Sequence, residues 1–111
     1  MGAFNIVRAE LACPDCGGAV NASVQFKYGD TRQHEYVVGD RLRWGGNDVG
    51  KEGSGHVVVD ASAEGVCGRS GELVEFDAYV HIEEGCIRQV YVADGAYDFV
   101  KERETYIVLR E

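Results

Sequence analysis

Residues 13–17 read Cys13-Pro14-Asp15-Cys16-Gly17, and no other stretch restricts the fold as much. Two cysteines two residues apart, with glycine after the second, form a tight turn, a knuckle. Both sulfurs leave it on one side, and the glycine lets the backbone bend back. A damaged copy follows 54 positions on (13 to 67, 17 to 71): Cys67-Gly68-Arg69-Ser70-Gly71. Two intact knuckles facing one another make a tetrahedral four-sulfur zinc site. Here Ser70 stands in the place of the fourth sulfur, and a neutral hydroxyl is a poor zinc ligand beside thiolate.

The copy extends past the knuckle. Val20, Ala22, Val24, Phe26 and Tyr28 alternate with polar residues, and they map one to one onto Val74, Phe76, Ala78, Val80 and Ile82. A period of two is the mark of a half-buried strand. Residues 4–11 read as a strand entering the first knuckle, and His56 to Val59 as one leading to the second. Gly29-Asp30 and Glu83-Glu84-Gly85 are turns, with return strands expected at 35–38 and 87–92. The expectation is an all-β, mostly antiparallel fold in one domain spanning 1–111. It is built from two knuckle-plus-β-hairpin repeats at about 13–40 and 67–94, whose knuckles share one site because neither half buries its apolar face alone. Between them a glycine-rich stretch, 45–55, reads as a mobile loop. Residues 96–104 admit a short helix with Tyr97 and Val100 facing inward, and 106–109 form an edge strand blunted by Arg110 and Glu111.

A chain of 111 residues buries only a modest core, so a structural metal would add useful stability. With 19 acidic against 11 basic residues and a net charge of −8, the surface does not suit the phosphates of nucleic acid or an anionic membrane. It suits solubility, or a basic protein partner. No stretch approaches the ~20 apolar residues that span a bilayer. Residues 1–10 carry no basic run followed by an apolar one, so the expected compartment is the cytoplasm. There, four cysteines are thiols or metal ligands rather than disulfides.

The Cys13-Pro14-x-Cys16-Gly17 motif resembles the knuckles of the zinc-ribbon and rubredoxin-like families, residue for residue at those four positions. The layout, with its Gly39-Asp40-x-Leu42-x-Trp44 stretch, also resembles that of small bacterial proteins. The resemblance implies a structural zinc and a zinc-ribbon-like arrangement, with Cys67 on the second knuckle; it assigns no activity. Three outcomes stay open at the cysteines: a metal on Cys13, Cys16 and Cys67 with a fourth ligand from elsewhere, three buried thiols without metal, or a Cys13–Cys16 redox disulfide. Cys86 completes the ligand set by count, although it follows the second hairpin tip, about 30 Å from Ser70 at ~3.3 Å per residue. His56 is a further candidate, since its strand runs towards Cys67.

Other motifs carry less. Gly45 to Lys51 has the spacing of a phosphate-binding loop, but Glu52 replaces the hydroxyl residue and Gly53-Ser54-Gly55 prevents the helix that should follow. His34, His56 and His81 form no catalytic pattern, and Gly53-Ser54-Gly55 is not a nucleophile elbow. The outward residues of the second hairpin, Glu75, Asp77, Tyr79, His81, Glu83 and Glu84, read as a solvated acidic face or a docking surface for a basic partner. The functional expectation is a non-enzymatic zinc-binding protein-interaction module, monomer or homodimer. The alternatives are an acidic immunity or antitoxin-type protein that binds a basic toxin, and an enzyme using the 45–55 loop as a lid.

Overall fold

The computed structural model describes residues 4–99 and 105–111, and the strands among them make an all-β fold. In chain order they are β1 (Asn5–Ala12), β2 (Ala19–Phe26), β3 (Gly29–Asp30), β4 (Glu35–Val37), β5 (Asp48–Val49), β6 (His56–Val66), β7 (Leu73–Glu83), β8 (Cys86–Val92) and β9 (Tyr106–Arg110). The main sheet runs β4-β1-β2-β6-β7-β8, with β9 on the lower half of β6 beside the stretch that pairs with β2. Among the described strands, only the β1–β4 pairing is parallel. The sheet curls until the chain leaving β4 meets the start of β8. Gly39 N donates to Ile87 O (2.7 Å), Ile87 N to Asp40 O (2.9 Å) and Leu42 N to Gly85 O (2.9 Å). That closure covers two edges that would otherwise invite pairing with another chain. No helix among the described residues is long and apolar enough to cross a membrane.

The alternation read from the sequence places the core. Val20, Ala22, Val24 and Phe26 of β2 point inward with Val57, Val59, Ala61 and Ala63 of β6, and Ala78, Val80 and Ile82 of β7 complete the layer. The β7–β8 turn, Glu84-Gly85, has positive φ at both residues (51° and 79°), the two-residue turn whose twist suits a hairpin.

The repeat unit differs from the expected one. Residues 35–38 do not return beside β2; β4 lies parallel to β1, with Ile6, Val7 and Arg8 opposite Glu35, Tyr36 and Val37. The free edge of β2 is taken instead by β6, Ser23 to Phe26 pairing with Glu64 to Ala61. Each repeat is therefore a hairpin with the knuckle at its tip. β1 and β2 pair from Asn5↔Phe26 to Ala12↔Ala19, and β6 and β7 from His56↔Glu83 to Val66↔Leu73. The offset of 54 carries Ala12↔Ala19 onto Val66↔Leu73 (12 to 66, 19 to 73).

A buried carboxylate explains the route to β4. Asp30 Oδ2 accepts from Arg32 Nη2 (2.9 Å) and contacts His34 Nε2 (3.1 Å), while Oδ1 accepts from the Asn47 amide (3.0 Å). Asn5 ties the same corner to β1, its Nδ2 donating to Tyr28 O and its Oδ1 accepting from His34 N. The chain after β2 is thus bent under the sheet and delivered to the far side of β1. Asp30 also fixes the first part of the 45–55 stretch, which was expected to be mobile. Thr31 N donates to Asn47 O (3.0 Å), β5 pairs with β3, and Gly50 lies against the Tyr28 ring where a Cβ would not fit. Residues 100–104 of the expected helix lie outside those described; Tyr97 is half-buried and packs on the outer face of β7, against Tyr79 and His81.

The Arg32 guanidinium, opposed by burial and helped by His34 and the Asn47 amide, holds the Asp30 carboxyl well below the usual carboxylate range. A carboxylate with a lowered folded-state pKa stabilises the fold above its unfolded value, about 3.9, and that contribution is lost as the pH falls further. Asp30→Asn is expected to lower the melting temperature at neutral pH by about 5–10 °C. It should also flatten the fall in stability below about pH 4, read from thermal unfolding across a pH series.

Candidate metal centre

Both knuckles sit at the same end of the sheet because β1–β2 and β6–β7 turn over in the same direction. They share one backbone design. Cys13 N donates to Gly18 O (2.7 Å) and Cys67 N to Glu72 O (2.9 Å); Gly17 N donates to Cys13 O and Gly71 N to Cys67 O, both at 2.8 Å. Gly17 and Gly71 take φ of 77° and 74°, a conformation that favours glycine. The pairing of β2 with β6 runs on to a bridge between Val20 and Cys67, and Gly68 N donates to Ala19 O (2.8 Å). Gly18 completes the approach: a Cβ there would lie 3.1 Å from Cys67 Sγ and 2.8 Å from Arg69 Cβ.

The outcome is a trio of sulfurs. The Sγ atoms of Cys13, Cys16 and Cys67 lie within 4.8 Å of one another, and Cys16 Sγ is 3.5 Å from Cys67 Sγ. Cys13 and Cys67 are buried and Cys16 is half-buried. None of the cysteines is in a disulfide. Three thiols at this spacing are close enough to hold a metal ion.

The second knuckle supplies the charge that such an ion needs. The Ser70 amide and hydroxyl and the Arg69 amide favour a Cys67 thiolate, and together they outweigh burial and lower its pKa to about 6. Cys16 moves the other way. The Gly18 amide favours its thiolate, but the neighbouring Cys67 sulfur, burial and Cys13 together raise its pKa. Cys67 is thus the more acidic of the two thiols, and its Sγ shares a hydrogen bond with Cys16 Sγ.

Cys86, counted with these three as a ligand, is not among them. It opens β8 opposite Glu83, and the 11 residues of β7 separate that turn from the second knuckle, about 35 Å at ~3.3 Å per residue. His56 is equally distant, because it begins the 11-residue β6 that ends at the knuckle. The phosphate-loop pattern is also accounted for. Gly45 N and Gly46 N donate to the Asp48 carboxylate (3.0 and 3.2 Å), so the chain's own anion occupies those amides.

A second constellation escaped the sequence reading. Tyr79 and His81, expected on an outward face that is either solvated or a docking surface, are only 3% and 6% exposed. Tyr91, Tyr97 and Phe99 cover them, Tyr79 meeting Tyr97 at 5.2 Å and Phe99 at 5.8 Å between ring centres. His81 Nδ1 is 2.8 Å from His56 Nε2, and His81 Nε2 is 2.9 Å from the Tyr91 hydroxyl. Burial first, then the neighbouring His56, push the His81 pKa down, against the opposing pull of Glu83. The signal was available in the aromatic string at 91, 97 and 99, which needs an outer face to cover.

No protein-family model matches the chain, and neither a curated protein nor a solved structure matches it.

The Cys67 thiolate can be read directly. In metal-free protein the ultraviolet absorbance of one thiolate is expected to titrate near pH 6, and Ser70→Ala, which removes one donor, should shift that titration upward. Absence of thiolate at neutral pH would contradict the arrangement.

Proposed function

We propose that this chain is a small non-enzymatic module in which one zinc ion, held by Cys13, Cys16 and Cys67, clamps two hairpins together and leaves the outer sheet face free for a protein partner. The observation that carries the reading is the convergence of three sulfurs from two knuckles of the same backbone design. Zinc–sulfur bonds of about 2.3 Å in a tetrahedron put sulfurs about 3.8 Å apart, and the 3.5 Å between Cys16 and Cys67 needs little adjustment to reach that. Zinc suits thiolate donors and needs no redox partner. This likeness to zinc ribbons stops at the knuckles, since Ser70 supplies no fourth sulfur.

The interaction half of the reading rests on the upper outer face of β6 and β7. Val66 and Leu73, directly opposite one another, are 57% and 65% exposed. Behind them Glu64 faces Glu75 across the strands and Ser62 faces Asp77. Like charges placed opposite each other destabilise a sheet, and burial together with Asp77 raises the pKa of Asp60 on the same face. An exposed apolar pair backed by closely spaced carboxylates suits a basic, partly apolar partner. A basic toxin would be one partner of that kind.

Protein purified without chelator or nickel resin is expected to carry about one zinc per chain. Cys13→Ser and Cys67→Ser should each lose the metal and melt about 10 °C lower or more, whereas Cys86→Ser should keep it. Metal-free protein as stable as its Cys13→Ser variant would contradict the clamp. Turnover of a small-molecule substrate, lost on replacing one exposed acid or histidine, would contradict the non-enzymatic reading.

A further inference from the structure

We propose that the metal held by the three cysteines has an exchangeable fourth position, open to a small thiolate ligand from solution. The inference rests on the reading of the trio as a metal site and goes on to what that site can bind. The offset of 54 makes Ser70 the counterpart of Cys16, the outer residue of its knuckle (16 to 70). Cys13 and Cys67, the inner residues, are buried, Cys16 is half-buried and Ser70 is exposed. The missing corner of the tetrahedron therefore lies on the solvent side.

The chain offers little to fill that corner. No fourth histidine, cysteine, aspartate or glutamate among the described residues joins the group. The Ser70 hydroxyl oxygen is engaged within its own knuckle, accepting from Glu72 N (3.3 Å). Three protein ligands with one position left for water or substrate is the pattern of working rather than purely structural zinc.

The donor set decides what enters. Three thiolates carry three negative charges onto a doubly charged ion, so the metal is electron-rich and acidifies a bound water weakly. Ligand exchange with a soft donor is favoured over activation of water for hydrolysis. The entering thiolate brings one more negative charge, and the rim holds a cation to receive it. Arg69 lies beside the corner, its Nη1 donating to Cys16 O at 2.7 Å. Exchange is a proton-coupled substitution: the thiol loses its proton to solvent, its sulfur bonds the metal and the bound water leaves. No electron moves.

Cobalt(II) in place of zinc makes the fourth ligand visible in the full chain. On titration with 2-mercaptoethanol, the sulfur-to-cobalt charge-transfer intensity per cobalt is expected to rise by roughly one third, as three sulfurs become four, and then to saturate. Ser70→Ala should respond as the wild type does, while Ser70→Cys should show the four-sulfur spectrum from the start and stay unchanged. Cobalt bound with a wild-type spectrum indifferent to the thiol would overturn the exchangeable corner and leave the metal clamp standing. Loss of cobalt to the thiol, or a Ser70→Ala protein that no longer holds cobalt, would overturn it equally. A wild-type chain that takes up no cobalt would overturn the clamp and the corner together.

Discussion

The antiparallel pairing of β2 with β6 is the contact on which the rest of the structure depends. It joins the two hairpins, and its register decides whether the knuckles meet. With Val24 opposite Ala63, the ladder arrives at Val20 opposite Cys67, and the three sulfurs converge. Close approach is needed along this seam. A Cβ on Gly65 would lie 2.5 Å from Asn21 O, and Gly18 makes a similar approach to Cys67 and Arg69. A slip of one residue would turn the apolar sets outward and separate the knuckles at the same time. The core and the site are thus specified by one register.

The two ends of the curled sheet are held by different chemistry. At the knuckle end three sulfurs gather, and the Ser70 and Arg69 groups beside them lower the Cys67 pKa. At the other end, charge is already neutralised. Asp30 is enclosed by Arg32, His34 and the Asn47 amide, and the chain leaving β4 is stitched to β8. Of the two ends, the knuckle end is the one whose side chains could hold a metal ion. The Glu64–Glu75 pair on the upper face of β6 and β7 lies beside that same end, on the strands that carry the second knuckle.

Legibility followed the range of the interactions. The period of two in β2 and β7 identified the inward residues, and the offset of 54 identified the equivalence of the knuckles, because both are local patterns in the chain. Which strand pairs with which was not local. The return of residues 35–38 beside β2 was the simplest hairpin, but Asp30 bends the chain away and β6 offers β2 a better-matched edge. The order of the glycine-rich stretch was hidden for the same reason, since its partners Tyr28, Asp30 and Thr31 lie far back in sequence. Cys86 was included by counting cysteines, and strand length removes it. Tyr79 and His81 looked solvated because alternation reports two faces and does not say that a later segment covers one of them.

The central claim is that this fold builds a metal centre from three sulfurs and one lighter ligand. X-ray absorption at the zinc edge of the purified protein tests it most directly. The account predicts about three sulfurs near 2.3 Å and one oxygen or nitrogen near 2.0 Å. Four sulfurs, which this chain does not bring together, or a zinc with no sulfur in its first coordination sphere, would contradict it.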